Sequence, residues 1–296
     1  MRTAFIQQLV EEAKVNDKIF LLVGDLGYSV VETFAELFPN RFLNVGIAEQ
    51  NMTGIASGLA MEGYNVFTYS IGNFPTLRCM EQIRYDVCYH NLSVKIVAVG
   101  GGYAYGPLGT SHHTTEDIGM LRVIPNLSVC APADPIETRK ITSMLCQNNN
   151  PSYLRLGKAG EPKVHNENLN FNWGEIIKVK SGHKTAVLST GGLLKYCSDT
   201  IEHQGKDWGL FSIPFIKPLD IITLAQICNE YNEIVTIEEH QKSGGFGSAI
   251  LESINELRNN SIIKKNPKVR VIAIPDRFIG FAGTQEYLRN IAGIKL

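Results

Sequence analysis

The 296 residues carry 28 basic and 29 acidic side chains, a net charge of −1, with 44% hydrophobic and 19% charged residues. That length predicts about two domains, each large enough to bury its own core. The balanced charge gives no electrostatic case for nucleic acid or an anionic membrane. No apolar stretch approaches the roughly 20 residues of a membrane span. Six cysteines (Cys79, Cys88, Cys130, Cys146, Cys197 and Cys228) form no CxxC pair and lie mostly in apolar runs. They predict buried free thiols in a reducing compartment, the cytoplasm by default, with no metal or disulfide role.

Residues 2–15 place Phe5, Ile6, Leu9 and Val10 at helical spacing, in an amphipathic helix and not a signal peptide. The continuous apolar run 18–23 is the mark of a strand covered on both faces in a parallel sheet. It ends at Gly24-Asp25-Leu26-Gly27, a turn at a strand's carboxyl end, where open α/β sheets place ligands. Asp25, taken alone, reads as a turn former or cap. Residues 44–60 run from a short apolar approach into a helix rich in Gly, Ala and Ser, so that another backbone can pack closely on it. Glu49 stands in its first turn among Ile47, Ala48 and Met52. It either complements the helix N-terminus or is a half-buried carboxyl group ready to give or take a proton.

A strand at 64–69 leads through Ser70–Arg78 into a helix at 79–88, and a strand at 92–99 opens onto the glycine-rich loop 100–117. Loops of that length in compact domains are usually functional or mobile. His112-His113 in this loop has no partner ligands at metal spacing. A strand near 121–134 precedes a helix at 135–146 with Asp134 as its cap and Pro135 in its first turn. The strand 151–158 closes the first domain. The polar stretch 161–183 reads as a linker. Strands at 185–190, 208–213, 234–240 and 269–274, with helices at 193–203 and 250–257, build a second, smaller α/β domain from 184 to 296. Its glycine clusters lack the GxGxxG pattern of a dinucleotide site.

Gly46-Ile47-Ala48-Glu49-Gln50 after Arg41-Phe42-Leu43-Asn44-Val45 resembles the pyrimidine-binding domain of the transketolase family of thiamine-diphosphate enzymes, which includes deoxyxylulose-phosphate synthase. Residues 121–134, 214–220 and 238–248 extend the likeness over nearly the whole chain. The resemblance implies two three-layer α/β domains: a pyrimidine-binding domain at 1–160 and a smaller transketolase C-terminal-like domain. It implies that Glu49 hydrogen-bonds N1′ of the cofactor's aminopyrimidine, a task suited to a carboxyl group with apolar flanks. It places Asp25 facing the cofactor, Phe74 stacked on the pyrimidine ring, and Ile71 and Leu77 around it. Gly109-Thr110-Ser111-His112 is similar to a segment whose histidine faces the donor sugar, so His112 is the expected substrate-facing acid or base, with His113 beside it. Lys158, or Arg155 nearby, takes the position of a residue that binds a substrate phosphate, as a point charge in the case of lysine. Leu108 and Gly100 replace substrate-reading residues of transketolase proper. Glu238-Glu239-His240 falls in a domain that mainly serves packing.

The family's N-terminal domain, which holds Mg²⁺ and the diphosphate through a Gly-Asp-Gly motif, has no counterpart here, since Gly24-Asp25 is followed by leucine. The expectation is therefore the second subunit of a split transketolase, self-associating through residues 51–60 in an α₂β₂ assembly with a separately encoded diphosphate-binding subunit. It would share thiamine diphosphate with that subunit, leave Mg²⁺ mainly to it, and move a two-carbon ketol unit between sugars or sugar phosphates. The alternatives are the β subunit of a 2-oxoacid dehydrogenase or decarboxylating ketol synthase, and a catalytically silent scaffold subunit.

Overall fold

The computed structural model describes residues 1–296, and its strands fall into two sheets. In the first, β1 (Ile19–Val23), β2 (Phe42–Asn44), β3 (Asn65–Ile71), β4 (Val94–Val99), β5 (Ser128–Cys130) and β6 (Ser152–Leu156) run parallel in the order β5-β6-β4-β3-β1-β2. They are accompanied by helices α1 (Arg2–Val15), α2 (Glu32–Leu37), α3 (Glu49–Met61), α4 (Met80–Gln82), α5 (Asp117–Arg122) and α6 (Pro135–Gln147). Every residue of β4 and β6 is buried, as parallel strands covered on both faces require. Alternate side chains part to opposite faces. Leu21, Val23, Phe67, Tyr69, Val97 and Val99 join Phe5, Leu9, Ile141 and Leu145 of α1 and α6 in one core cluster. Leu22, Val66, Ile96 and Ala98 join Met52 and Ala56 of α3 in another.

The second sheet has the order β12-β11-β8-β9-β7, from β7 (Ile177–Lys180), β8 (Thr185–Ser189), β9 (Gly209–Ser212), β11 (Glu233–Gln241) and β12 (Lys268–Ile274). Only the edge strand β7 is antiparallel. Helices α7 (Leu194–His203), α8 (Ile221–Glu230), α9 (Phe246–Asn259) and α10 (Gln285–Ala292) pack around it. The second sheet thus starts inside the stretch 161–183 expected to be linker. β7 escaped notice because it is an edge strand with lysines on its exposed positions, Lys178 and Lys180.

The strand β10 (Phe215–Lys217) crosses back to the first sheet and pairs antiparallel with β5, Phe215 opposite Cys130. The cluster holding Ile96 and Val129 also continues without a break through Ile213 and Ile216 to Phe246. One core cluster thus spans both halves. The expected helix at 79–88 is also partly different: after α4 the chain winds as a π-helix from Ile83–Tyr89, burying Ile83, Val87 and Cys88. All six cysteines are buried and unpaired.

Candidate active site

β1 has β2 on one side and β3 on the other, so the sheet's strand order reverses there, and ligands of open α/β sheets sit outside the carboxyl ends at such a point. Gly24 ends β1 and Ser70 lies at the end of β3. A Cβ on Gly24 would stand 3.5 Å from Glu49 Cγ and 3.6 Å from Ser70 Oγ, so Glu49 is packed into the switch point itself. Asp25 adopts φ 52° beside it and is exposed. Its Oδ1 accepts from Asn44 Nδ2 at 3.1 Å, while Asn44 Oδ1 accepts from the Asp25 and Gly46 backbone N–H groups at 3.0 Å each. Asn44 thereby ties the turn after β1 to the lead-in of α3.

Glu49 opens α3 at 2% exposure. The carboxylate is not isolated among apolar neighbours: Arg78 Nη1 donates to its Oε2 at 2.7 Å. Pairing is what a buried carboxylate needs. The rest of the first turns is fixed by Thr53 Oγ1 donating to the Glu49 carbonyl at 2.9 Å and Ser57 Oγ to the Thr53 carbonyl at 3.0 Å.

The loop after β3 and the glycine-rich loop lie directly against each other. Any Cβ on Gly72 would fall 1.7 Å from Thr114 Oγ1, so only glycine allows the approach. Asn73 Nδ2 donates to the His113 carbonyl at 2.7 Å and the Ser111 carbonyl at 3.3 Å. This contact brings Phe74 and His112 together, edge to face with ring centroids 5.3 Å apart. The Arg78 guanidinium lies 5.5 Å from the Phe74 ring centroid. Glu49, Arg78, Phe74 and His112 therefore form one continuous line of contacts. Ile71 is half-buried at the end of β3, and Leu77 is exposed beside Arg78.

Three expected residues are placed elsewhere. His113 turns inward, 5% exposed, with its ring against Tyr103 at 5.1 Å. Burial holds its pKa below the ordinary histidine value, and its Nε2 has no hydrogen-bond partner. It faces a cavity of about 100 Å³ that Leu77, Gln241 and Arg277 also line. Arg155 is largely committed within the chain. It is 7% exposed and spends its donors internally, on Asp117 at 2.7 and 3.2 Å, the Thr114 carbonyl at 2.7 Å and the Glu239 carbonyl at 3.0 Å. Its Nη1 makes none of these bonds, and Arg155 lines a cavity that it shares with Lys158. Lys158 is exposed, 5.3 Å from the Tyr105 ring centroid, at the rim of an interdomain cavity of about 250 Å³.

Two arginines near the site escaped the sequence reading. Arg78 is an unremarked polar residue between a loop and a helix, and only the fold shows that it meets Glu49. Arg2 interacts with the Tyr105 hydroxyl, whose pKa burial raises against the pull of that arginine, and its own Nε is buried without a partner. Arg2 and Lys158 thus both lie near Tyr105.

Glu238, Glu239 and His240 hold structure together, Glu239 and His240 by joining the two halves of this one chain and Glu238 within the second half. Glu238 accepts from the Phe246 and Gly247 N–H groups at 2.6 and 2.7 Å and so caps α9 from a distance. Burial pushes its pKa up to about 7. Glu239 accepts from the Tyr103 N–H and from Gln285 and Arg289. His240 Nε2 accepts from the Gly119 N–H at 3.1 Å, consistent with burial holding its pKa low.

The architecture defines a two-domain α/β protein with a helix-heading carboxylate, an aromatic ring and a histidine aligned at a topological switch point. Residues 1–161 match the transketolase pyrimidine-binding domain and residues 174–294 the transketolase C-terminal domain. The chain is 32% identical to an apulose-4-phosphate transketolase subunit of Phocaeicola vulgatus, over 96% of this chain and 90% of that protein. It is 30% identical to 1-deoxy-D-xylulose-5-phosphate synthase of Clostridium perfringens, over 99% of this chain but 47% of the synthase. Among solved structures, a split gene transketolase described as an inactive β4 tetramer superposes with a TM-score of 0.85 at 32% identity, covering 99% of this chain and 93% of that one. The chain belongs to the transketolase family.

Proposed function

We propose that this chain supplies the pyrimidine-binding half of a thiamine-diphosphate-dependent transketolase whose diphosphate and Mg²⁺ are held mainly by a separate subunit. The reaction passes a two-carbon ketol unit from a ketose, or ketose phosphate, to an aldehyde. The observation that carries the reading is the contact line from buried Glu49 through Phe74 to His112. A planar group already lies against Phe74 while bonded to Glu49, so the residues fit a flat heteroaromatic ring with a polar edge. Thiamine diphosphate held there would supply the carbanion chemistry of the transfer. Glu49 would hold the ring's polar edge, Phe74 would cover its face, and Ile71 and Leu77 would lie around it. His112, with Nδ1 at 3.0 Å from Ser111 Oγ, is oriented to exchange a proton with the sugar's carbonyl or hydroxyl. Lys158, with Arg2, offers positive charge for an anionic substrate end, and Asp25 lines the cofactor side.

The names of the relatives support transketolase chemistry over a 2-oxoacid dehydrogenase or a silent scaffold, and the inactive β4 relative supports dependence on a partner. Self-association in an α₂β₂ assembly fits α3, where Cβ atoms on Gly54 and Gly58 would meet nothing within 4 Å. No helix is long and apolar enough to cross a membrane, and we place the complex in the cytoplasm. The test is to co-purify the tagged chain with its native partner and assay ketol transfer from phosphorylated and free ketoses. Glu49→Gln is expected to cut the rate on the order of 10²-fold or more without unfolding the chain. An equally active Glu49→Gln complex, or full activity of the chain alone, would refute the proposal.

A further inference from the structure

Glu49 is buried, yet its partner is not: the Arg78 side chain is 49% exposed. Three features of Arg78 coincide. It donates to Glu49 Oε2 at 2.7 Å, it lies within cation–π range of Phe74 at 5.5 Å, and with Glu49 it lines an open depression of about 340 Å³. A guanidinium is flat, delocalised and rich in N–H donors. Those are also the properties of an aminopyrimidine edge meeting a carboxylate while its face meets an aromatic ring.

We propose that Arg78 is an internal stand-in for the cofactor's pyrimidine: it occupies the place between Glu49 and Phe74, and the cofactor binds by displacing it into solvent. The inference rests on the reading of Glu49 and Phe74 given above and adds a residue that competes for them. Displacement is feasible because an arginine head already half in water loses little on swinging out, and an ion pair with one exposed member is weak. The benefit is to the free chain, whose buried carboxylate keeps a partner until the cofactor replaces it. The consequence is quantitative. Only the fraction of molecules with Arg78 displaced is competent, so the apparent cofactor affinity is reduced by that fraction.

The test is calorimetric titration of thiamine diphosphate, with Mg²⁺, into the reconstituted two-subunit complex, comparing wild type with Arg78→Ala and Arg78→Lys. Arg78→Ala is expected to bind about tenfold more tightly, because the competent fraction rises toward one. Arg78→Lys, which keeps the charge but loses the flat face, should fall between the two. Unchanged or weaker binding by Arg78→Ala would overturn the proposal and make Arg78 part of the wall that holds the cofactor. Should Arg78→Ala not fold, Arg78→Lys decides by the same criterion. A wild-type complex that binds no thiamine diphosphate would instead sink the cofactor reading itself, and this inference with it.

Discussion

Lys95 sits in the middle of β4 with no exposed surface, among Val94, Ile96 and Val97. Its ammonium donates to the Asn150 carbonyl at 2.6 Å and to Ser93 Oγ at 3.3 Å, and no carboxylate pairs with it. Burial pushes its pKa down to about 7. With the folded value below the unfolded one, the unfolded chain binds more protons between about pH 7 and 10.5, so this group's contribution to stability improves as pH rises through that window. Lys95→Met is therefore expected to stabilise the chain by on the order of 1 kcal/mol or more at pH 7. The gain should shrink in urea titrations repeated toward pH 9. A destabilised Lys95→Met would mean that the two hydrogen bonds outweigh the buried charge. Glu49 shows the opposite solution to the same problem, a buried charge kept tolerable by a partner at 2.7 Å.

α6 shows how one side chain can fix an element and a loop together. Asp134 Oδ1 accepts from the Ile136 and Glu137 N–H groups at 2.9 Å each, the N-cap expected from its place before Pro135. Its Oδ2 accepts from the Val164 and His165 N–H groups at 2.8 and 2.9 Å, which no local pattern signals because thirty residues intervene. His165 then reaches Glu137 at 2.7 Å. Asp134→Ala should cost about 2–4 kcal/mol, more than a lone cap, because four donors lose their acceptor. Chemical denaturation would show it, and a loss below about 1 kcal/mol would reduce Asp134 to an ordinary cap. The cap of α9 is the less legible counterpart, since Glu238 lies on β11 and not before the helix.

Across the whole molecule, the halves are welded at Arg155. Its guanidinium joins Asp117, the Thr114 carbonyl of the glycine-rich loop and the Glu239 carbonyl of β11, while Tyr153 donates to Asp117 at 2.5 Å. Arg155→Met leaves a buried carboxylate without its cation and is expected to cost about 3–5 kcal/mol. Adding Asp117→Leu should restore part of that loss, since replacing both ions is less costly than stranding one. Denaturation of the two variants side by side checks this. The same network holds the glycine-rich loop that carries His112, so ketol transfer should fall in Arg155→Met. An Arg155→Met chain of normal stability would remove this residue from the domain contact.

Local chemistry in the sequence determined the helices and buried strands, the cap at Asp134, the family likeness around Glu49 and the candidacy of Phe74 and His112. Each of these depends on spacing or turn chemistry within a few residues, or on a contiguous motif. Tertiary structure alone decided which polar groups face which. Arg78 meets Glu49 across 29 positions, Arg155 pairs with Asp117 across 38, and His113 turns away from its own neighbour to pack on Tyr103. Sequence patterns register which face of an element is apolar, whereas the partner of a buried charge is set by which elements the sheet order brings side by side.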